Sequence, residues 1–106
     1  MFCGCLADTA RVGPADDAAA RARKAFVHAV ARERQALVTH ERAALMHEES
    51  AARLEQAALD ASDPRRVDHF IVRAQAERQR AIAARERAGE ARRRLRAEGV
   101  DPDSSA

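Results

Sequence analysis

From Asp16 to Asp60 the chain contains neither glycine nor proline, and it then meets Pro64. A run of that length without a breaker suits one continuous helix. Proline inside a helix costs about 3 kcal/mol, because it lacks an N–H and its ring clashes with the preceding turn. It also steers the residue before it, Asp63, out of helical geometry. The same two residues begin a helix well, with Asp63 as N-cap and Pro64 at the first position. The spacing therefore predicts helices over 16–60 and 64–98. Gly89 costs about 1 kcal/mol inside the second helix without ending it. Gly99 supplies a C-cap and Pro102 blocks resumption. Residues 1–15 are expected as a flexible N-terminal arm and 99–106 as a disordered tail.

Two long helices joined by a tight turn lie antiparallel. At 1.5 Å per residue they span roughly 67 and 50 Å. An alternating four-three stripe marks the buried side of each. In the first it runs Phe26, Val30, Glu33, Leu37, His40, Ala44, His47, Ala51, Leu54, Ala58. In the second it runs Phe70, Ala74, Glu77, Ala81, Ala84, Ala88, Ala91, Leu95. Heptad spacing held over several repeats is the signature of a coiled coil. The expected fold is all-α: an antiparallel two-helix coiled-coil hairpin over 16–98 with disordered ends, dimerising into a helical bundle. Folding about residue 62 sets Leu54 opposite Phe70, His47 opposite Glu77 and Leu37 near Ala88.

Composition limits the core. The chain holds 27 Ala and 18 Arg against one Lys, with three Phe and no Trp or Tyr. Large apolar side chains are too few for a multilayer core, but a thin alanine seam is within reach. The Ala/Arg bias points to a GC-rich genome, bacterial or viral. No window approaches the ~20 apolar residues of a membrane span. The opening MFCGCLADTARV lacks the basic and long apolar regions of a signal peptide. A soluble, intracellular protein is expected. Cys3 and Cys5 read as exposed thiols, with lipid modification at either as the alternative.

His40 and His47 invite a metal reading, which geometry removes. Seven residues along a helix span about 10.5 Å, and metal–nitrogen bonds are about 2.0–2.1 Å. Neither histidine has a second ligand three or four residues away. No metal or other cofactor is expected. What remains is a His47–Glu77 pair across the seam, serving register. The sequence suggests no Ser/His/Asp or Cys/His pairing, no phosphate-cradling glycine loop and no enclosed pocket, so an enzyme is not expected.

Charge divides between the halves. Residues 64–98 carry 11 Arg against 5 acids, and residues 16–63 carry 7 basic against 9 acidic residues. The densest run gives a basic patch of Arg92, Arg93, Arg94 and Arg96. It is open to a solvated face or to contact with nucleic acid or an acidic protein. No aromatic residues interleave with these arginines, which disfavours sequence-specific RNA binding. A second apolar set lies off the main stripe: Val27, Val38, Leu45, Val67, Ile71 and Ile82, together with Leu59. A two-helix hairpin has no third layer to cover it, so a homodimer or another helical partner is expected there.

At the turn the chain reads Asp63-Pro64-Arg65-Arg66-Val67, followed by Phe70 and Ala74. This resembles the turn of the small conserved tegument protein family of herpesviruses implicated in virion egress. Arg23 to Val38 is similar in texture to that family's first helix, and the resemblance covers about residues 23–98. Arg66 stands where the family is expected to carry an apolar aromatic. The resemblance implies a non-enzymatic virion component of host cytoplasm and nucleus. Such a protein assists tegument assembly, nuclear delivery of partner proteins and envelopment. The other reading is a bacterial helical-hairpin adaptor or regulator, contacting nucleic acid through its Arg-rich second helix.

Overall fold

The computed structural model describes residues 13–104, so Cys3 and Cys5 lie outside the described residues. Two helices form, α1 (Pro14–Asp60) and α2 (Pro64–Ala97), with no strand among the described residues. α1 starts two residues before the expected position because Pro14 takes the first helical place, where a missing N–H is harmless. The Asp17 N–H reaches back to the Gly13 carbonyl at 3.0 Å. Asp16 and Asp17 occupy the first turn, where carboxylates favour the positive end of the helix dipole.

The chain divides into two compact units, one ending at Ala31 and the other beginning at Arg32. The described part of the first is a single helical stretch with no second layer. Phe26, expected on the seam, is accordingly 47% exposed there, and Val27 is exposed beside it.

In the second unit the rest of α1 packs against α2. The turn between them is Ala61–Asp63. Asp63 is extended, and its side chain accepts a hydrogen bond from the Arg65 N–H at 3.0 Å. Its own carbonyl accepts from the N–H groups of Arg66 and Val67. Among the described residues, every buried hydrophobic lies on the two expected stripes: Leu37, Ala44 and Ala51 on α1, with Ala74, Ala81, Ala84, Ala88, Ala91 and Leu95 on α2. Only Leu37 and Leu95 are larger than alanine. Glu33, His40, His47 and Leu54 fill the intervening α1 positions half-buried. Small side chains at these places let two backbones approach closely.

α2 ends in a Schellman motif. Gly99 adopts φ +76°, a conformation glycine reaches without a Cβ penalty. The Val100 N–H bonds the Leu95 carbonyl and the Gly99 N–H bonds the Arg96 carbonyl, both at 2.9 Å. The expectation of a disordered tail does not describe residues 99–104. They turn back instead: Asp103 accepts from Arg92 at 2.6 Å, and the Ser104 carbonyl accepts from Arg34. Gly99 caps the helix as expected, and beyond Pro102 the Asp103 carboxylate finds an arginine.

Leu95 is 1% exposed, so Leu95→Ala should lower stability by about 2–5 kcal/mol. A Cβ at Gly89 meets nothing closer than Arg93 Nη1 at 3.5 Å, so Gly89→Ala should raise stability by up to about 1 kcal/mol. Urea unfolding followed by circular dichroism measures both. Equal midpoints for wild type and Leu95→Ala would contradict the packing described.

Candidate interaction surface

In heptad letters, the buried α1 residues Leu37, Ala44 and Ala51 hold position a, and those of α2 alternate between a and d. Position e then lies on one flank of the seam in both helices. On α1 it is Glu41, Glu48 and Glu55; on α2 it is Arg78, Arg85 and Arg92. Each step of seven along α1 is matched by a step of seven back along α2, so acid meets base three times. Arg78 grips Glu55 with a fork, Nη2–Oε1 2.7 Å and Nε–Oε2 3.2 Å. Arg85 repeats the same fork on Glu48 at 2.6 and 3.4 Å. Arg92 reaches Glu41 at 3.2 Å while also holding Asp103. Two-pronged arginine–carboxylate bonds fix direction as well as distance.

These bonds show in the acidities. The hydrogen bond from Arg85 holds the Glu48 carboxyl below the usual carboxylate range, and that from Arg78 does the same for Glu55. Asp103 is lowered by its hydrogen bond from Arg92. On the seam itself, His47 Nδ1 lies 2.6 Å from Glu77 Oε2, as the folding of the chain about residue 62 suggests. Glu77 is also pushed down, first by the His47 hydrogen bond and then by that of Arg80.

The other flank is asymmetric. Position g on α2 is Arg73, Arg80, Arg87 and Arg94, facing the small Ala57, Ser50, Ala43 and Ala36 of α1. Arg94 turns to Glu33 at 2.6 Å and Arg80 to Glu77 at 2.7 Å. Among the described residues, Arg73 and Arg87 have no ion pair.

The expected basic patch is divided by this pairing. Arg92 and Arg94 are committed to acids; Arg93 and Arg96 make no ion pair among the described residues. The charge difference between the helices is therefore largely an interhelical match. At the turn, the Arg66 guanidinium stacks 5.7 Å over the Phe70 ring and covers it where an aromatic neighbour is expected.

The off-seam apolar residues are partly gathered. Val38, Leu45 and Leu59 are exposed at position b, beside the glutamate file. Ile82, at position b of α2, lies beside the arginine file, and Ile71 continues that file toward the turn. These residues share one face. Val67, expected off the seam, stands seven residues before Ala74 and is half-buried, because it continues the seam toward the turn. Val27 belongs to the first unit. The ladder itself was not anticipated from the sequence. Its signal is a heptad file of acids on one helix and of arginines on the other.

No helix among the described residues is long and apolar enough to cross a membrane, and no three His, Cys, Asp or Glu among them group as metal ligands. No protein-family model, curated protein or solved structure matches the chain.

Carboxyls whose folded pKa is lowered stabilise the fold above their unfolded values and lose that contribution as pH falls through the folded ones. Melting temperature should hold from neutral pH to about pH 5 and fall steeply toward about pH 2. A Glu48→Gln, Glu55→Gln variant should melt lower at neutral pH and show a shallower acid slope. An unchanged slope would remove the ladder from the account.

Proposed function

We propose that the chain is a non-enzymatic helical interaction protein that presents the ladder face to a helical protein partner. The carrying observation is the set Val38, Leu45, Leu59, Ile71 and Ile82, all exposed on that face beside a neutralised row of charges. Aliphatic side chains ordered in files along a rigid helix pair are what a docking helix buries. Self-neutralised charge between the files avoids leaving any carboxylate or guanidinium unpaired when water is excluded. The resemblance at Asp63-Pro64-Arg65-Arg66-Val67 and Phe70 supports a more specific role. In that role the hairpin is a small tegument protein of a herpesvirus-like virion, acting in host cytoplasm and nucleus in assembly, egress and nuclear delivery of partners.

The alternative is a bacterial adaptor that contacts nucleic acid through α2. Of the four arginines of the expected patch, it draws on Arg93 and Arg96 alone, since Arg92 and Arg94 are paired.

Affinity purification with the full chain and its Leu45→Glu, Ile82→Glu variant separates these readings. Proteins should be recovered with the wild type and lost with the variant, while helicity by circular dichroism stays equal. Recovery of nucleic acid, abolished by Arg93→Glu, Arg96→Glu and indifferent to Leu45→Glu, would favour the alternative.

A further inference from the structure

We propose that the flank opposite the ladder is a second docking surface, and that it takes a helix of another protein carrying a carboxylate at every seventh residue.

The arginine file on that flank is the first observation. Arg73, Arg80 and Arg87 are exposed at position g of α2, and seven residues set each about 10.5 Å from the next along the axis. Arg73 and Arg87 have no ion pair among the described residues. Arg80 meets Glu77 of its own helix, a carboxylate that His47 also engages. On the ladder flank the same helix carries Arg78, Arg85 and Arg92 at the same spacing, and each meets a glutamate of α1. Two arginine files thus run along one helix, and α1 answers only the first with a file of acids.

Shape is the second. α1 supplies this flank with Ala36, Ala43, Ser50 and Ala57, all half-buried. Position g of a coiled coil commonly holds long charged side chains that reach across the seam. Here short ones leave the surface of α1 open beside a row of guanidinium groups. Met46 lies three residues from Ala43 and four from Ser50, hence on the same side of the helix, and is 65% exposed. Small side chains admit a third helix to close interaxial distance, and a flexible thioether adapts to what lies over it.

Complementarity names the occupant. Carboxylates recurring every seven residues on a helix form a file with the same spacing of about 10.5 Å. A second copy of this chain does not bring one. Glu41, Glu48 and Glu55 are the only acids in the sequence that stand seven apart, and the ladder holds all three. The acidic helix therefore belongs to a different protein. Nucleic acid suits the file less. From Arg73 to Arg87 it runs straight for about 21 Å, more than half of a duplex turn of roughly 34 Å, over which a phosphate strand winds to the far side. Glu90 stands three residues from Arg87 and would repel phosphate, and Phe70 lies beneath Arg66 rather than open for base stacking.

The test titrates the full chain into a fluorescently labelled helical peptide with Glu at one position of every heptad and Ala and Leu beside it. A control peptide has the same composition and net charge with its Glu residues out of phase. Anisotropy should show the in-phase peptide binding roughly tenfold or more tighter than the control. Arg73→Glu, Arg87→Glu should abolish that binding with helicity retained, and a peptide with Lys at the Glu positions should restore it. Ala43→Gln, which fills the open side of α1 without adding charge, should weaken it, and Leu45→Glu on the ladder face should leave it unchanged. Equal binding of both peptides would overturn the proposal, since net charge alone would then suffice. So would tighter binding of an RNA duplex with the same dependence on Arg73 and Arg87, which would make the flank a nucleic-acid surface. Absence of binding at high micromolar concentration would overturn it as well.

Discussion

Close packing along Ala44, Ala51, Ala81, Ala88 and their alanine neighbours is the contact on which the rest of the hairpin depends. Short side chains bring the helices near each other and bury little area per residue. They also offer little shape with which one helix could recognise its alignment on the other. Among the described residues, Leu37 and Leu95 are the only larger buried ones. Alignment has to come from elsewhere.

Two devices supply it. Near the turn, Asp63 and Pro64 end one helix and start the next within three intervening residues, which leaves no slack for slippage. Farther along, the turn has little reach, and the arginine–glutamate ladder takes over. Its rungs recur every heptad, so each lies on the same flank and pulls in the same direction. Close backbone approach is what brings these long side chains within reach across the seam. His47 and Glu77 add a polar contact on the seam, at the same step where the α2 stripe lacks an alanine. The Schellman end of α2 and the Asp103–Arg92 contact then finish the far end of the ladder.

Much of this was legible in the sequence because it depends on local rules. The proline, the capping aspartate and the heptad alanines each act through neighbours in sequence, so helices, turn, seam and the His47–Glu77 pair follow from spacing. The ladder was harder, because its meaning lies in a match between helices. Arg92 looks like one of a basic run until Glu41 is placed opposite it. The folding-back of 100–104 was obscured for the same reason: its polar composition fits disorder unless Arg92 and Arg34 stand nearby. Val67 was misplaced because near the turn the stripe can be continued in more than one way.

The claim that the ladder aligns the part of the hairpin remote from the turn is tested most directly by a distance. Spin labels at Arg42 and Arg93, both exposed, can be introduced in a chain with Cys3 and Cys5 changed to serine and measured by pulsed dipolar spectroscopy. The account predicts one narrow distribution, far below the continuous-helix value, set by helix axes roughly 8–10 Å apart, the axial offset of the two sites and the label tethers. It should broaden when Glu41, Glu48 and Glu55 are all changed to glutamine, with helicity preserved. An equally narrow distribution in that variant would show that the alanine seam aligns itself. A distance on the order of 75 Å, as a continuous helix would give, would contradict the hairpin altogether.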